Sequence, residues 1–140
     1  PDAVRLRFFR LAGGKEARLL VVPTASGSAE SDPASFLAPW RKLGPASLEI
    51  LHTRKRAVAD SAAFAARLDK ATGVWLSGGD QSRLADTYAG TATERAFKRL
   101  LARGGVVGGT SAGAAAMSGT MILGGREEAR TGRGLGLLPG

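Results

Sequence analysis

Short apolar runs, each followed by glycine, proline or small polar residues, punctuate the chain: Arg18-Leu19-Leu20-Val21-Val22, Leu48-Glu49-Ile50-Leu51, Val74-Trp75-Leu76 and Val106-Val107. Runs this short and this continuous suit strands covered on both faces, the condition inside a parallel sheet. Between them the apolar positions recur at helical spacing. Val4, Phe8, Leu11 and Ala12 predict an opening helix stopped at Gly13-Gly14. Phe36, Leu37, Trp40 and Leu43 predict a second, begun by Asp32 as cap with Pro33 in the first turn and ended at Gly44. Asp60 is the expected cap of a third, with Ala63, Phe64 and Leu68 on its apolar stripe and Arg67 at the flank. A fourth spans Gln81 to Tyr88. Thr91-x-x-Glu94 forms a capping box for a fifth, which carries Ala96, Phe97, Leu100 and Leu101 up to Gly104-Gly105.

The resulting order, α-β-α-β-α-β-α-α-β-turn-α, predicts an α/β protein with an open, mostly parallel sheet and helices on both faces. No repeat or low-complexity tract competes with it. A chain of 140 residues with 44% hydrophobic and 23% charged content suits a single domain over residues 1–140. No apolar run reaches the length of a membrane span, so no membrane partner is expected. Twenty Lys and Arg against 12 Asp and Glu give a net charge of +8, which raises the question of an acidic partner. The basic residues are scattered through the predicted helices and aromatics make up only 6%, so no stacking platform forms and nucleic acid is not expected. Arg54-Lys55-Arg56, the one compact cluster, reads as a solvated turn. Zero cysteines exclude disulfides, thiolate metal sites and a cysteine nucleophile.

The chemistry collects at strand ends. Val106-Val107 runs into Gly108-Gly109-Thr110-Ser111-Ala112-Gly113, a strand, sharp turn and helix with a G-x-S-x-G pattern. Glycines on both sides let the backbone carry a serine through a strained bend, exposing its oxygen at the mouth of the sheet. The Ala112 amide and the positive end of the following helix face that oxygen's substrate. Ser111 is the candidate nucleophile; the competing reading is a serine N-cap on an ordinary strand-to-helix connection. Ser77-Gly78-Gly79-Asp80-Gln81 follows its own strand in the same way. An amide from Gly79 or Asp80, set opposite Ala112, would make a two-donor oxyanion hole, and Gln81 would offer a neutral donor and acceptor to the substrate. The alternative there is a tight turn with Asp80 capping the next helix. Pro23-Thr24-Ala25-Ser26 is the third such strand end, and all three should meet on one edge of the sheet.

Ser77-Gly78-Gly79-Asp80-Gln81 together with Gly108-Gly109-Thr110-Ser111-Ala112-Gly113-Ala114-Ala115-Ala116-Met117-Ser118 resembles the cyanophycinase family, serine exopeptidases related to the aspartyl dipeptidases. Val22-Pro23-Thr24-Ala25-Ser26-Gly27, Met121-Ile122-Leu123-Gly124-Gly125 and Gly134-Leu135-Gly136-Leu137-Leu138 extend the similarity over almost the whole chain. The pairing of G-G-D-Q with G-T-S-A-G-A separates this family from ordinary α/β-hydrolases, which share only G-x-S-x-G. The resemblance implies a flavodoxin-like sheet related to class I glutamine amidotransferase domains, with serine in place of cysteine. It implies cleavage of cyanophycin, a poly-aspartate backbone carrying arginine on its side-chain carboxyls, into β-aspartyl-arginine dipeptides. Ser111 would be the nucleophile, Gln81 a substrate-binding residue, and Gly79 or Asp80 with Ala112 the oxyanion hole. No metal or organic cofactor belongs to this chemistry, the partner is a peptide substrate, the cytoplasm is the expected compartment, and a homodimer is compatible with the family.

The match departs from the family in one respect that bears on activity. The family's base is a histidine in a D-Q-H-F-type segment after the G-L-G-L-L run, whereas this chain stops at Gly140 and its one histidine is His52, at the end of a strand. His52 reads as a polar strand-end residue. Glu128 is the nearer match to an acidic residue of the relay, set against a solvated Arg126-Glu127-Glu128 turn. The chain therefore reads as truncated at both ends, and residues 1–140 alone are not expected to turn substrate over. Two other functions stay open at this point: an esterase of the α/β-hydrolase kind using the same serine, and a non-catalytic relative that binds acidic or arginine-bearing peptides.

Overall fold

A computed structural model of the chain describes residues 2–109. The elements run α1 (Asp2–Leu11), a single 3-10 turn (Gly14–Glu16), β1 (Arg18–Val22), α2 (Ala34–Arg41), β2 (Ser47–Ile50), α3 (Arg56–Ala59), α4 (Ala62–Ala66), β3 (Gly73–Leu76), α5 (Gln81–Tyr88), α6 (Ala92–Ala102) and β4 (Val106–Gly109). The strands form one open sheet in the order β2-β1-β3-β4, every pairing parallel. Leu76 pairs with both Val22 and Gly109, so β1, β3 and β4 end level with one another.

Alternation along the strands sorts the core into two layers. Leu20, Val22, Val74, Leu76 and Val107 face one side, where α3 to α6 bring Ala59, Phe64, Ala65, Leu84, Tyr88, Ala96, Phe97 and Leu100. Leu19, Val21 and Trp75 face the other, under Phe8 and Phe9 of α1 and Trp40 of α2. Helices thus cover both faces, as the alternation predicts. On the α1 side Phe8 meets Trp40 and Trp75 edge-on, with ring centroids 5.3 and 5.1 Å away. The strand glycines below make room for these rings. A Cβ on Gly108 would stand 2.8 Å from Phe8, and one on Gly73 would stand 2.7 Å from the Ala12 methyl.

Gly13 and Gly14 stop α1 with φ of 122° and 63°. The capping box forms in its Thr91 half, Thr91 Oγ1 accepting from the Glu94 amide at 3.4 Å; the Glu94 carboxylate takes the Gly90 amide at 2.8 Å instead of the Thr91 amide, which bonds the Tyr88 carbonyl. Three local expectations are corrected. Asp60 does not cap the third helix. Ser61 does, accepting from the Phe64 amide at 3.2 Å, while Asp60 closes α3 and its carboxylate accepts from the Ala92 amide at 2.9 Å. The start of α2 is held by the Asp32 carbonyl, which accepts from the Ser35 amide and hydroxyl, rather than by the Asp32 carboxylate. Arg54-Lys55-Arg56 is not simply a solvated turn either. Arg56 opens α3 and its guanidinium donates to the carbonyls of Asp86 and Ala89, tying α3 to the end of α5. Among the described residues no helix is long and apolar enough to cross a membrane.

Candidate functional site

In the strand order β2-β1-β3-β4, the connections leave β1 and β3 toward opposite faces, and open sheets of this kind bind ligands in the crevice outside the carboxyl ends of such a strand pair. The two segments there are Pro23-Thr24-Ala25-Ser26 after β1 and Ser77-Gly78-Gly79-Asp80 after β3. They are joined at one atom. The Ala25 carbonyl accepts from the Asp80 amide at 2.8 Å and from Arg83 Nη1 at 2.9 Å.

That junction requires glycine next to Asp80. Gly79 has φ 141°, a conformation that L side chains rarely adopt, and a Cβ built on it would lie 2.1 Å from the Ala25 carbonyl oxygen. Its own amide makes no hydrogen bond among the described residues, and the residue is exposed. Of the two amides proposed from sequence for this side of an oxyanion hole, Asp80's is therefore committed to Ala25 and Gly79's is available. The Asp80 carboxylate caps α5, accepting from the Ser82 hydroxyl at 2.7 Å and the Ser82 amide at 2.9 Å, and these bonds hold its pKa below the usual aspartate range. So the cap reading of this turn is correct, and it coexists with a Gly79 amide that makes no hydrogen bond among the described residues. Gln81 is the first residue of α5, half-buried, with no hydrogen bond to its side chain among the described residues.

The β1 loop that carries Ala25 is fixed from beneath. Thr24 is fully buried, and its hydroxyl lies 2.8 Å from both Tyr88 Oη and His52 Nδ1. His52 Nε2 lies 2.6 Å from Glu30 Oε2, which also accepts from Arg54 Nε at 2.8 Å. Arg54 completes the clamp with bonds to the carbonyls of Thr24 and Ser26. One proton order satisfies the whole chain: Tyr88 donates to Thr24, Thr24 to His52 Nδ1, and His52 Nε2–H to the Glu30 carboxylate. The Arg54 bond, then the His52 bond, lowers the Glu30 pKa to about 2. Burial pushes the Tyr88 phenol upward, against the partly opposing hydrogen bond to Thr24. With both ring nitrogens engaged, His52 is built into the loop support, in line with its reading as a strand-end residue. The strand end Pro23-Thr24-Ala25-Ser26 is legible in the sequence, but the role of the Ala25 carbonyl, Tyr88, Arg83 and the Glu30–Arg54 pair is not; only the placement of Arg83 two residues after Gln81 hints at its position.

β4 ends at Gly109 beside Leu76, so the chain leaves the described region at this same edge. Ser111, Ala112 and Glu128 lie outside the described residues. Among the described residues, no three His, Asp or Glu side chains converge as a metal site would need.

Residues 2–140 match peptidase family S51. A cyanophycinase of Trichormus variabilis (strain ATCC 29413 / PCC 7937) is 34% identical over 141 residues, covering 94% of this chain and 47% of the relative. A cyanophycinase of Geminocystis herdmanii (strain PCC 6308) is 31% identical over 141 residues, covering 95% of this chain and 52% of the relative. The chain thus spans about half the length of the curated relatives it matches. The crystal structure of a peptidase from an acI-B1 Actinobacterium superposes with a TM-score of 0.72 at 24% identity, covering 96% of this chain and 59% of that one, a likeness of fold.

Proposed function

The chain belongs to peptidase family S51, and from that premise we propose that the full-length protein is a serine-type exopeptidase of the cyanophycinase kind, releasing β-aspartyl-arginine from cyanophycin. The observation that carries this reading is the Gly79 turn. It stands at the carboxyl edge of the sheet, its amide without a hydrogen bond among the described residues, in a backbone conformation that L side chains rarely adopt and tight against Ala25, while β4 ends level with β3 at Gly109, the first residue of the G-T-S-A-G pattern.

The proposed reaction is acyl-enzyme hydrolysis. Ser111 attacks the carbonyl of a terminal backbone amide, and the oxyanion that forms is held by the amides of Gly79 and Ala112. Donors fixed in advance at the position where charge develops contribute about 3–4 kcal/mol each to such barriers. A base, on the family resemblance a histidine beyond Gly140, takes the Ser111 proton and passes it to the leaving amine. Water then attacks the ester carbonyl by the same route and releases the dipeptide. Gln81, at the start of α5 beside this turn, contacts the substrate's polar groups, and Glu128 belongs to the base's support.

Incubation of the full-length protein with purified cyanophycin, followed by mass spectrometry of the soluble products, tests the assignment. Accumulation of β-aspartyl-arginine is expected. Hydrolysis of a p-nitrophenyl ester with no dipeptide released would turn the assignment to an esterase.

A further inference from the structure

An open cleft of about 380 Å³ lies on the outer side of the β1 loop, lined by Gly27, Glu30, Arg54, Arg83, Asp86 and Thr87. Its size falls in the range of roughly 300–1,000 Å³ typical of small-ligand sites. Its charges are of both signs, and they differ in what they already do. Glu30 and Arg54 are spent on one another and on the loop carbonyls. Arg83 has only Nη1 hydrogen-bonded, on the Ala25 carbonyl, and its charge also helps to lower the Asp80 pKa; its remaining guanidinium donors make no hydrogen bond among the described residues. The Asp86 carboxylate has neither an ion pair nor a hydrogen bond among the described residues, although Asp86 stands one helical turn after Arg83, at a spacing where opposite charges ordinarily pair. The bond to Ala25 draws the guanidinium away from Asp86 and toward the Gly79 turn. A cation and an anion are thereby held apart on the exposed face of α5, in a cleft whose other two charges cancel.

We propose that this cleft is a subsite for one zwitterionic peptide unit, with Arg83 pairing its carboxylate and Asp86 pairing its cationic side chain. The identity of the ligand rests on the peptidase reading: each arginine of cyanophycin carries a free carboxylate and a guanidinium. Because Arg83 and the Asp80 amide share the Ala25 carbonyl, the carboxylate held by Arg83 lies beside the turn that carries Gly79. A purely anionic or purely cationic ligand would satisfy one of the two side chains and leave the other facing its own sign or nothing.

Calorimetric titration of the full-length protein as its Ser111→Ala variant, which does not consume the probes, tests this with β-aspartyl-arginine, β-aspartyl-argininamide and β-aspartyl-citrulline. The parent should bind the first at least about fivefold tighter than either neutralised probe, as charge-assisted hydrogen bonds imply. Added Arg83→Gln should erase the preference for acid over amide and keep that for arginine over citrulline. Added Asp86→Asn should do the reverse. Any general loosening of the β1 loop lowers all three affinities together and leaves these ratios in place. Equal binding of the three probes by the parent, or ratios that survive the substitutions, would overturn the subsite. Turnover is read separately on the protein with Ser111 intact, so selective binding without cleavage supports the subsite and counts against the peptidase reading alone.

Discussion

The Gly79 α-carbon is pressed against the Ala25 carbonyl so closely that a single added methyl would stand 2.1 Å from that oxygen. Since the same carbonyl accepts from the Asp80 amide, the contact fixes the Gly79–Asp80 peptide and the α-carbon between it and the Gly78–Gly79 peptide, which carries the Gly79 amide. Gly79→Ala should therefore cost about 1–3 kcal/mol from the backbone conformation alone, with the collision added to it. Activity should fall further than stability does, because relief of the collision turns the donor away from its target. Denaturant melts and kcat measured on the full-length variant check this. Wild-type kcat in a folded Gly79→Ala protein would remove this turn from the oxyanion hole.

Tyr88 supports the same loop from the core. Its hydroxyl bonds Thr24 at 2.8 Å, and both residues are fully buried. Tyr88→Phe leaves the Thr24 hydroxyl with His52 as its one remaining partner. A loss of about 1–3 kcal/mol is expected in urea unfolding, and because Thr24→Val also removes the donor to His52 Nδ1, the test is the double variant: Thr24→Val with Tyr88→Phe should lose less than the sum of the two single losses. Full additivity of the two losses would show that the hydroxyl pair does not act as a unit.

Acid should weaken the clamp through Glu30. Its folded pKa of about 2 lies below the ordinary glutamate value of 4.5, so the unfolded chain binds the extra proton between those values. The contribution of Glu30 is then present in full above about pH 4.5 and is lost as pH falls toward 2. The melting temperature of Glu30→Gln should lie below that of the parent at neutral pH, with the gap closing across this window. A gap that stays constant down to pH 2 would mean that the carboxylate's pairing with Arg54 and His52 does not act through its charge.

The sheet was legible because its strands are short, continuous apolar runs, and such runs have few other homes. β1 and the helix Gln81–Tyr88 fall at the predicted residues, and Thr91 caps α6 as its spacing implies, with Glu94 reaching one residue further back, to the Gly90 amide. What escaped was the structure made by long-range contacts. α3 exists where Arg56 reaches the carbonyls of Asp86 and Ala89, thirty or more residues on, and nothing in the run Arg54-Lys55-Arg56 signals that. Asp60 looked like a cap because its type favours the position, but the neighbouring Ser61 took it and freed the carboxylate for Ala92. At the site, glycine at 79 and the acidic cap at 80 could be read from residue type. The acceptor that joins them could not, since it is a backbone carbonyl on an alanine.

The central claim is that Ser111 is the nucleophile served by the Gly79 turn. The rate of β-aspartyl-arginine release from cyanophycin by the full-length protein, compared with its Ser111→Ala variant, tests it most directly. Loss of the nucleophile of a serine peptidase costs many orders of magnitude, so a fall of at least about a thousandfold with an unchanged melting profile is predicted. Equal rates in the two proteins would contradict the account.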